Sequence, residues 1–188
     1  KNVQRAFLGA METQMQIGCY PSETGSPADL TERERTELQT AYTSRVEQYY
    51  TEENPCRKRY IALNEDFLTA CDSDVEYSES GGVADCRFDS VRLYADRMTA
   101  VVQAQTVVWD KRISGNPEQG FSVELPVNRD TITATMKKEN GVWKLDSIDS
   151  QISLSAAVSA DDEVCRERYP TFETARQAAD SIDDQAYI

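Results

Sequence analysis

The amino-acid sequence predicts an α+β fold in which N-terminal helices pack on a curved antiparallel sheet. Apolar residues recur at helical spacing over roughly the first 70 residues. From Val83 onward, long runs of β-branched and aromatic residues replace that pattern. Asn140-Gly141 separates two of these runs, and this dipeptide is typical of a tight hairpin turn.

Three helices are predicted in the first half of the chain. The apolar stripe Val3, Phe7, Met11 predicts a helix over residues 2–17. A stretch of turn-forming residues follows, so we expect a linker there. Thr31 and Glu34 form a capping box that begins the second helix. Asn54-Pro55 begins the third, and its apolar side is expected to consist of Tyr60, Leu63, Phe67, Ala70 and Cys71.

The second half of the chain is expected to form four or five antiparallel strands. The clearest is 98–109, whose even-numbered residues from Met98 to Val108 should share one buried face. Its partner is expected at 83–94, after a flexible stretch at 72–85. Further strands are predicted at 121–125, 131–138 and 142–148, the last two joined by Asn140-Gly141.

The domain organisation follows from these elements. We expect an N-terminal helix and linker at 1–29, an α+β domain at 30–154, and an acidic tail with one short helix at 155–188. The tail helix is predicted around Phe172, Ala175, Ala179 and Ile182. The tail holds too little apolar surface to be a domain by itself.

Composition excludes several functions. The chain has 188 residues, no histidine, and 33 acidic against 20 basic residues, giving a net charge of −13. Without histidine there is no Ser-His-Asp or Cys-His catalytic unit and no His metal ligand. Strong acidity disfavours nucleic-acid and anionic-membrane partners, which select basic patches. The sequence shows no metal or cofactor motif, so we expect neither.

The cysteines indicate the cellular compartment. Five occur singly, without a CxxC pair, which disfavours zinc and redox motifs. A disulfide between Cys71 and Cys86 would close a loop of about 15 residues and add about 3 kcal/mol to stability. The alternative is five buried, reduced thiols. Dispersed cysteines that can form structural disulfides favour a secreted or cell-surface protein.

Residues 30–154 resemble the nuclear transport factor two-like superfamily, the cystatin-like α+β cone. The resemblance is carried by the helix starts at Thr31 and Asn54-Pro55, the long strand from Met98, and the closing hairpin of residues 140–145. It concerns architecture and includes no catalytic motif.

This resemblance implies two classes of function, since one fold hosts many. Ketosteroid isomerases, polyketide cyclases and scytalone dehydratases of this fold work in the mouth of the cone. Without histidine, only a lone carboxylate base with tyrosine donors is conceivable here. The candidates are Asp66, Asp85 and Asp89 with Tyr60 and Tyr94; surface and packing roles are the simpler interpretation, so no catalytic residue is assigned.

Other members of the superfamily are non-catalytic, extracytoplasmic assembly modules. The sequence fits them better, so we predict a non-catalytic extracytoplasmic binding or assembly module, such as an accessory domain of a cell-surface protein. The alternative is a small-molecule binder or a carboxylate-dependent isomerase or cyclase. A protein partner or a small apolar ligand is expected, without nucleic acid or membrane contact, and with homodimerisation through the sheet face as one form. Ligand-binding candidates are Tyr60, Trp109 and Trp143.

Overall fold

Four α-helices and five antiparallel strands make up residues 1–19, 27–69, 75–157 and 167–182, the ranges described by the computed structural model. The helices are α1 (Asn2–Met15), α2 (Glu32–Tyr49), α3 (Pro55–Thr69) and α4 (Phe172–Asp180), with a 3-10 turn at Pro27–Asp29. The strands are β1 (Val75–Leu93), β2 (Thr99–Asn116), β3 (Gly120–Glu124), β4 (Pro126–Glu139) and β5 (Val142–Ala157). The predicted α+β class, with helices preceding the sheet, is confirmed.

Local signals in the sequence set the predicted boundaries. The Thr31 hydroxyl accepts a hydrogen bond from the Glu34 amide, and the Glu34 carboxylate accepts one from the Thr31 amide at 2.8 Å. The Asn54 side chain accepts from the Cys56 amide and begins α3. Asn140 and Gly141 both have positive φ, as the tight turn between β4 and β5 requires.

One long hairpin forms the centre of the sheet, whose strand order is β1-β2-β4-β5. Strands β3 and β4 pair with successive parts of β2, and the register of Arg112 with Glu124 continues unchanged to that of Trp109 with Val127. They are therefore one strand interrupted at Leu125.

The irregularities fall on the outer strands. Register shifts break the pairing of β1 with β2 near Glu79, Ala84 and Asp89, and two more break that of β5 with β4. An extra residue bends and twists a strand, so these bulges curve the sheet at its edges. They also make both edges poor templates for pairing with another chain.

Helix α1 covers one face of this sheet and forms the main core. Phe7 and Ala10 are fully buried, and Phe7 meets the Phe88 ring edge to face at 5.7 Å. Small residues of β2, Ala100 and Ala104, lie fully buried in the same core. Their small side chains allow α1 to pack closely on the sheet. The segment 1–29 thus contributes its helix to the core of the α+β domain.

A second core lies on the opposite face, at the other end of the hairpin. Side chains alternate between the two faces along β2. The buried even-numbered residues from Ala100 to Val108 therefore lie on one face, and the buried Ile113 lies on the other. Helix α4 covers this second face, where Phe172 meets the rings of Tyr77 and Phe121 edge to face at 5.4 and 6.0 Å. The tail helix is therefore an integral part of the fold.

Three predictions about local structure need correction. Residues 75–85, expected to be flexible, belong to β1, where the apolar-poor sequence is held by pairing with β2. Met98, expected on the buried face, is 47% exposed because it lies in the turn just before the first residue of β2.

The third correction concerns α3. Its buried positions are Asn64 and Leu68, whereas Tyr60, Leu63 and Phe67 of the predicted stripe are only half-buried. Ala70 and Cys71 lie outside the described residues. The Asn64 amide turns inward because its oxygen accepts from the Gly18 amide at 2.8 Å and its nitrogen donates to Gln39 at 2.7 Å.

Candidate functional site

A groove of about 780 Å³ opens at the end of the sheet where both hairpin turns meet the start of α1. We call it the end groove. Its lining comes from α1, from the β1–β2 turn and from the β4–β5 hairpin: Lys1, Asn2, Val3, Leu93, Tyr94, Ala95, Arg97, Lys138 and Trp143.

The end groove lies beside the outermost residue pairs of the central hairpin. Beyond Ala100 and Met136, the last pair under α1, the hairpin continues to Met98 and Lys138, where the Lys138 amide donates to the Met98 carbonyl at 2.9 Å. Lys1, Asn2 and Val3 stand beside this row of the sheet and form one wall of the groove.

Apolar side chains are concentrated around this end of the molecule. Within the described residues, the most exposed large apolar side chains are Leu93, Val142, Tyr94 and Met98, each 47–56% exposed. We call these four the apolar rim. They come from two separate hairpin turns, and a clustered apolar surface of this kind marks interaction sites more often than scattered single residues do.

The charges at the end groove are unusual for so acidic a chain. Lys138 places its ammonium 5.1 Å from the centre of the Trp143 ring, where a cation is attracted to the π face. Arg97 lies in the turn with φ of +54° and has no carboxylate partner among the described residues.

The two carboxylates beside the groove are engaged elsewhere. Asp96 accepts from the Met98 and Thr99 amides, and these hydrogen bonds lower its pKa. Glu139 accepts from the Glu52 amide at 2.9 Å and pairs with Lys144 at 3.1 Å. Among the residues that the structure describes, the cations at the groove therefore have no acidic partner.

A smaller groove of about 310 Å³ adjoins the first across Trp143, which lines both. Its walls include Arg5 of α1, Tyr49 of α2 and Val142 of the rim. The two grooves together form a track along the end of the sheet, with the 8% exposed Trp143 between them.

A separate groove of about 320 Å³ lies between α1, α2 and β1, and Cys19, Tyr42, Arg45 and Glu79 line it. Burial and the hydrogen bond with Asp180 raise the pKa of Glu79 to about 8, although Lys111 and Arg176 oppose the shift. Burial also raises the pKa of the Cys19 thiol, which makes it a poor nucleophile.

The surroundings of Glu79 anchor α4. Lys111, 3% exposed, donates from its ammonium to the carbonyls of Ala179 and Ile182 at 3.0 and 2.9 Å. Asp110 forms an ion pair with Arg112, two residues farther along β2. Lys111 therefore joins the end of α4 to the point on β2 where burial changes from one face to the other.

Replacing Glu79 with glutamine should change how stability depends on pH. Because the folded pKa lies above the unfolded value, the native protein binds the extra proton, and stability falls as pH rises from about 4.5 through 8. Glu79→Gln should remove about 1–2 kcal/mol of that fall, a value discounted for solvent screening. Urea unfolding of both proteins at pH 5 and pH 8.5 measures the effect. If the free energy of unfolding fell by the same amount between the two pH values in Glu79→Gln as in the wild type, the prediction would be contradicted.

The structure separates the three predicted ligand-binding residues. Trp143 lies in the end groove. Trp109 lies on the sheet face opposite α1, beside its paired residue Gly82, where an added Cβ would meet the indole at 3.4 Å. Tyr60 packs edge to face on Tyr50 at 5.5 Å, at the margin of the main core.

The carboxylates considered for acid–base chemistry are not gathered around a cavity. Asp66 is exposed on α3, and Asp85 and Asp89 are exposed on β1. Tyr94, considered as a donor, belongs to the apolar rim and is 50% exposed. Sequence reasoning missed Leu93, Arg97 and Lys138; their only signal is proximity to the two hairpin turns.

The structure describes only one of the two cysteines of the predicted disulfide. Cys86 is half-buried in the middle of β1 and forms no disulfide with Cys19 or Cys56, the other described cysteines. Cys71 lies outside the described residues, so the pairing with Cys86 stays a prediction. Within the described ranges, Cys, Asp and Glu side chains form no cluster of three suited to a metal ion.

The sheet face opposite α1 is polar where it is open. Gln103 and Gln105 of β2 and Thr131 and Thr133 of β4 are exposed there. Among the described residues, the most exposed large apolar side chains thus lie at the end of the sheet rather than on its open face. None of the described helices combines the length and the apolar character needed to cross a membrane.

No protein-family model and no curated protein sequence matches the chain. Among solved structures, the chain is similar to the intermembrane space region of the chloroplast protein ARC6, with a TM-score of 0.50 and 13% sequence identity. The similarity covers 80% of this chain and 94% of that structure. At this identity the similarity concerns the fold alone.

Proposed function

We propose that this protein is a non-catalytic, extracytoplasmic binding or assembly module that docks a segment of a protein partner in the end groove. One observation carries the proposal: α1 fills the face of the sheet that the resemblance to cone-shaped enzymes assigns to substrate, while the exposed apolar side chains gather at the end of that face. Relationship to the nuclear transport factor two-like superfamily is part of the same proposal.

The filling of the α1 face argues against chemistry there. Phe7, Val46 and Tyr50 are at most 1% exposed, and Met11 is 3% exposed. The Tyr50 hydroxyl donates to the Ala10 carbonyl at 2.6 Å, which fixes the ring against α1. Burial raises the pKa of this tyrosine, so it stays protonated and keeps that hydrogen bond. A substrate has no room between this helix and the sheet.

The location outside the cytoplasm rests on two supports. The cysteines occur singly along the chain, and a structural disulfide between Cys71 and Cys86 is part of the same proposal. The similar region of ARC6 belongs to an intermembrane space. A domain with a similar fold is therefore found in at least one compartment other than the cytosol.

A small-molecule site is the second candidate, and the groove beside Glu79 favours it. A carboxyl group with a strongly raised pKa in a cleft is a typical feature of functional sites. Thermal-shift screening of small apolar and basic compounds against the wild type and Glu79→Gln tests this candidate. Stabilisation that depends on Glu79 would support it.

Selection of short random peptides displayed on phage tests the docking proposal. We expect the selection to yield peptides that bind the wild type and lose at least about tenfold in affinity on the double variant Tyr94→Ser/Met98→Ser, because the rim supplies apolar contact. Ile148→Ser, which removes an exposed apolar side chain outside the groove, is the matched control. Peptides that bind all three proteins equally, or no enrichment, would overturn the proposal.

A further inference from the structure

We propose that the partner segment bound in the end groove is acidic, with carboxylates that pair with Arg97 and Lys138 and apolar residues that contact the rim. This inference rests on the proposed docking function and names the chemistry of the partner. It is carried by the convergence of cations from separate elements on one apolar groove.

Three elements each contribute one cation to the lining. Lys1 comes from the start of α1, Arg97 from the β1–β2 turn and Lys138 from the end of β4. Arg5 adds a fourth in the adjoining groove. These residues are distant in sequence, so their proximity is a product of the fold and not of a local basic run.

The neighbouring acids do not neutralise these cations. Both Asp96 carboxylate oxygens accept hydrogen bonds from Met98 or Thr99 at 2.8–3.0 Å. Glu139 is held by Lys144 and the Glu52 amide, as described above. Arg97 and Lys138 pair with no carboxylate of the described ranges, so they offer donors at the mouth of an apolar groove. A charge-assisted hydrogen bond to a carboxylate there is stronger than a neutral one.

The net charge sharpens the choice of partner. A chain of net charge −13 repels an acidic segment at a distance. At physiological salt that repulsion is screened beyond about 8 Å, whereas ion pairs in the groove form at contact. An acidic segment is therefore rejected by the remaining surface and accepted only at the end groove, which gives the site its specificity.

The aromatic floor favours a peptide over a free anion. The Lys138 stem lies with its ammonium over Trp143, so a carboxylate that pairs with Lys138 brings its own backbone across the indole. Tyr94 and Leu93 then stand at the edge to contact apolar side chains next to the acid. Acidic and apolar residues in one segment match both features, while an inorganic anion matches only the first.

Charge reversal of the groove and of the selected peptides tests the inference. We expect peptides from the phage selection to be rich in Asp and Glu and to bind Arg97→Glu and Lys138→Glu at least about tenfold more weakly than the wild type. Lys58→Glu, an exposed change of equal charge on α3, should alter affinity less than about threefold. Peptides with each Asp and Glu replaced by Lys should recover affinity for Arg97→Glu.

The outcomes separate this inference from the docking proposal. Peptides that need the apolar rim but lack acids, or that ignore Arg97→Glu and Lys138→Glu, would overturn the acidic partner and leave the docking site in place. Peptides that do not need the rim would overturn both. Equal weakening by Lys58→Glu would show that only net charge matters and would also overturn the inference.

Discussion

Replacing Phe7 with alanine should lower the free energy of unfolding by about 3–5 kcal/mol. The Phe7 side chain is fully buried between α1 and the sheet and meets the ring of Phe88 at 5.7 Å. Its loss leaves a cavity that the neighbouring β-strands cannot close, because interiors packed at crystal density relax only partly. Urea unfolding followed by circular dichroism measures the change.

Leu93→Ala is the matched control for this variant. Leu93 is 56% exposed at the apolar rim, so its truncation should change stability by no more than about 0.5 kcal/mol. A cost below about 1 kcal/mol for Phe7→Ala would contradict the finding that α1 occupies the face of the sheet. It would return that face to consideration as a ligand cavity.

The second large effect is expected for Phe172→Ala, which should also cost about 3–5 kcal/mol. Phe172 is 3% exposed and touches the rings of Tyr77 and Phe121, so it joins α4 to β1 and β3. Such edge-to-face pairs add about 0.5–1.5 kcal/mol to the burial of area alone. The measurement is again equilibrium unfolding in urea.

Glu173→Ala, beside it on the exposed side of α4, is the control and should be nearly neutral. The tail helix would be a peripheral appendage if Phe172→Ala were as mild as this control. In that case proteolysis would remove residues after 157 from the wild type without loss of stability.

Local chemistry explains which parts of the fold could be predicted. The Thr31 capping box and the Asn140-Gly141 turn depend on residues within a few positions of each other, and both are confirmed. The start of β1 at Val75 depends instead on the pairing of Val75 with Gly115. Pairing over such a distance leaves no periodic signal in a segment with few apolar residues.

The change of buried face along β2 had no visible signal. Asp110 and Lys111 are adjacent and charged, which is typical of a surface, yet they are 5% and 3% exposed. Their burial depends on Arg112 and on the carbonyl groups at the end of α4. Only the packed structure brings those partners together.

The candidate site was predictable in part. Trp143 was among the expected ligand-binding residues because an aromatic residue follows a turn there. The cations beside it could not be assigned, since Arg97 and Lys138 come to line one groove only through the pairing of β2 with β4. Sequence spacing does not show which hairpin turns meet at one end of a sheet.

Nuclear magnetic resonance of the ¹⁵N-labelled protein, titrated with a peptide from the phage selection, tests directly whether the end groove binds a peptide. We expect amide shifts to concentrate at residues 93–98 and 138–143 and in the first turn of α1, with the Trp143 indole among the most affected signals. Shifts that instead centre on the groove of Cys19, Tyr42 and Glu79, or spread over the open sheet face, would contradict it.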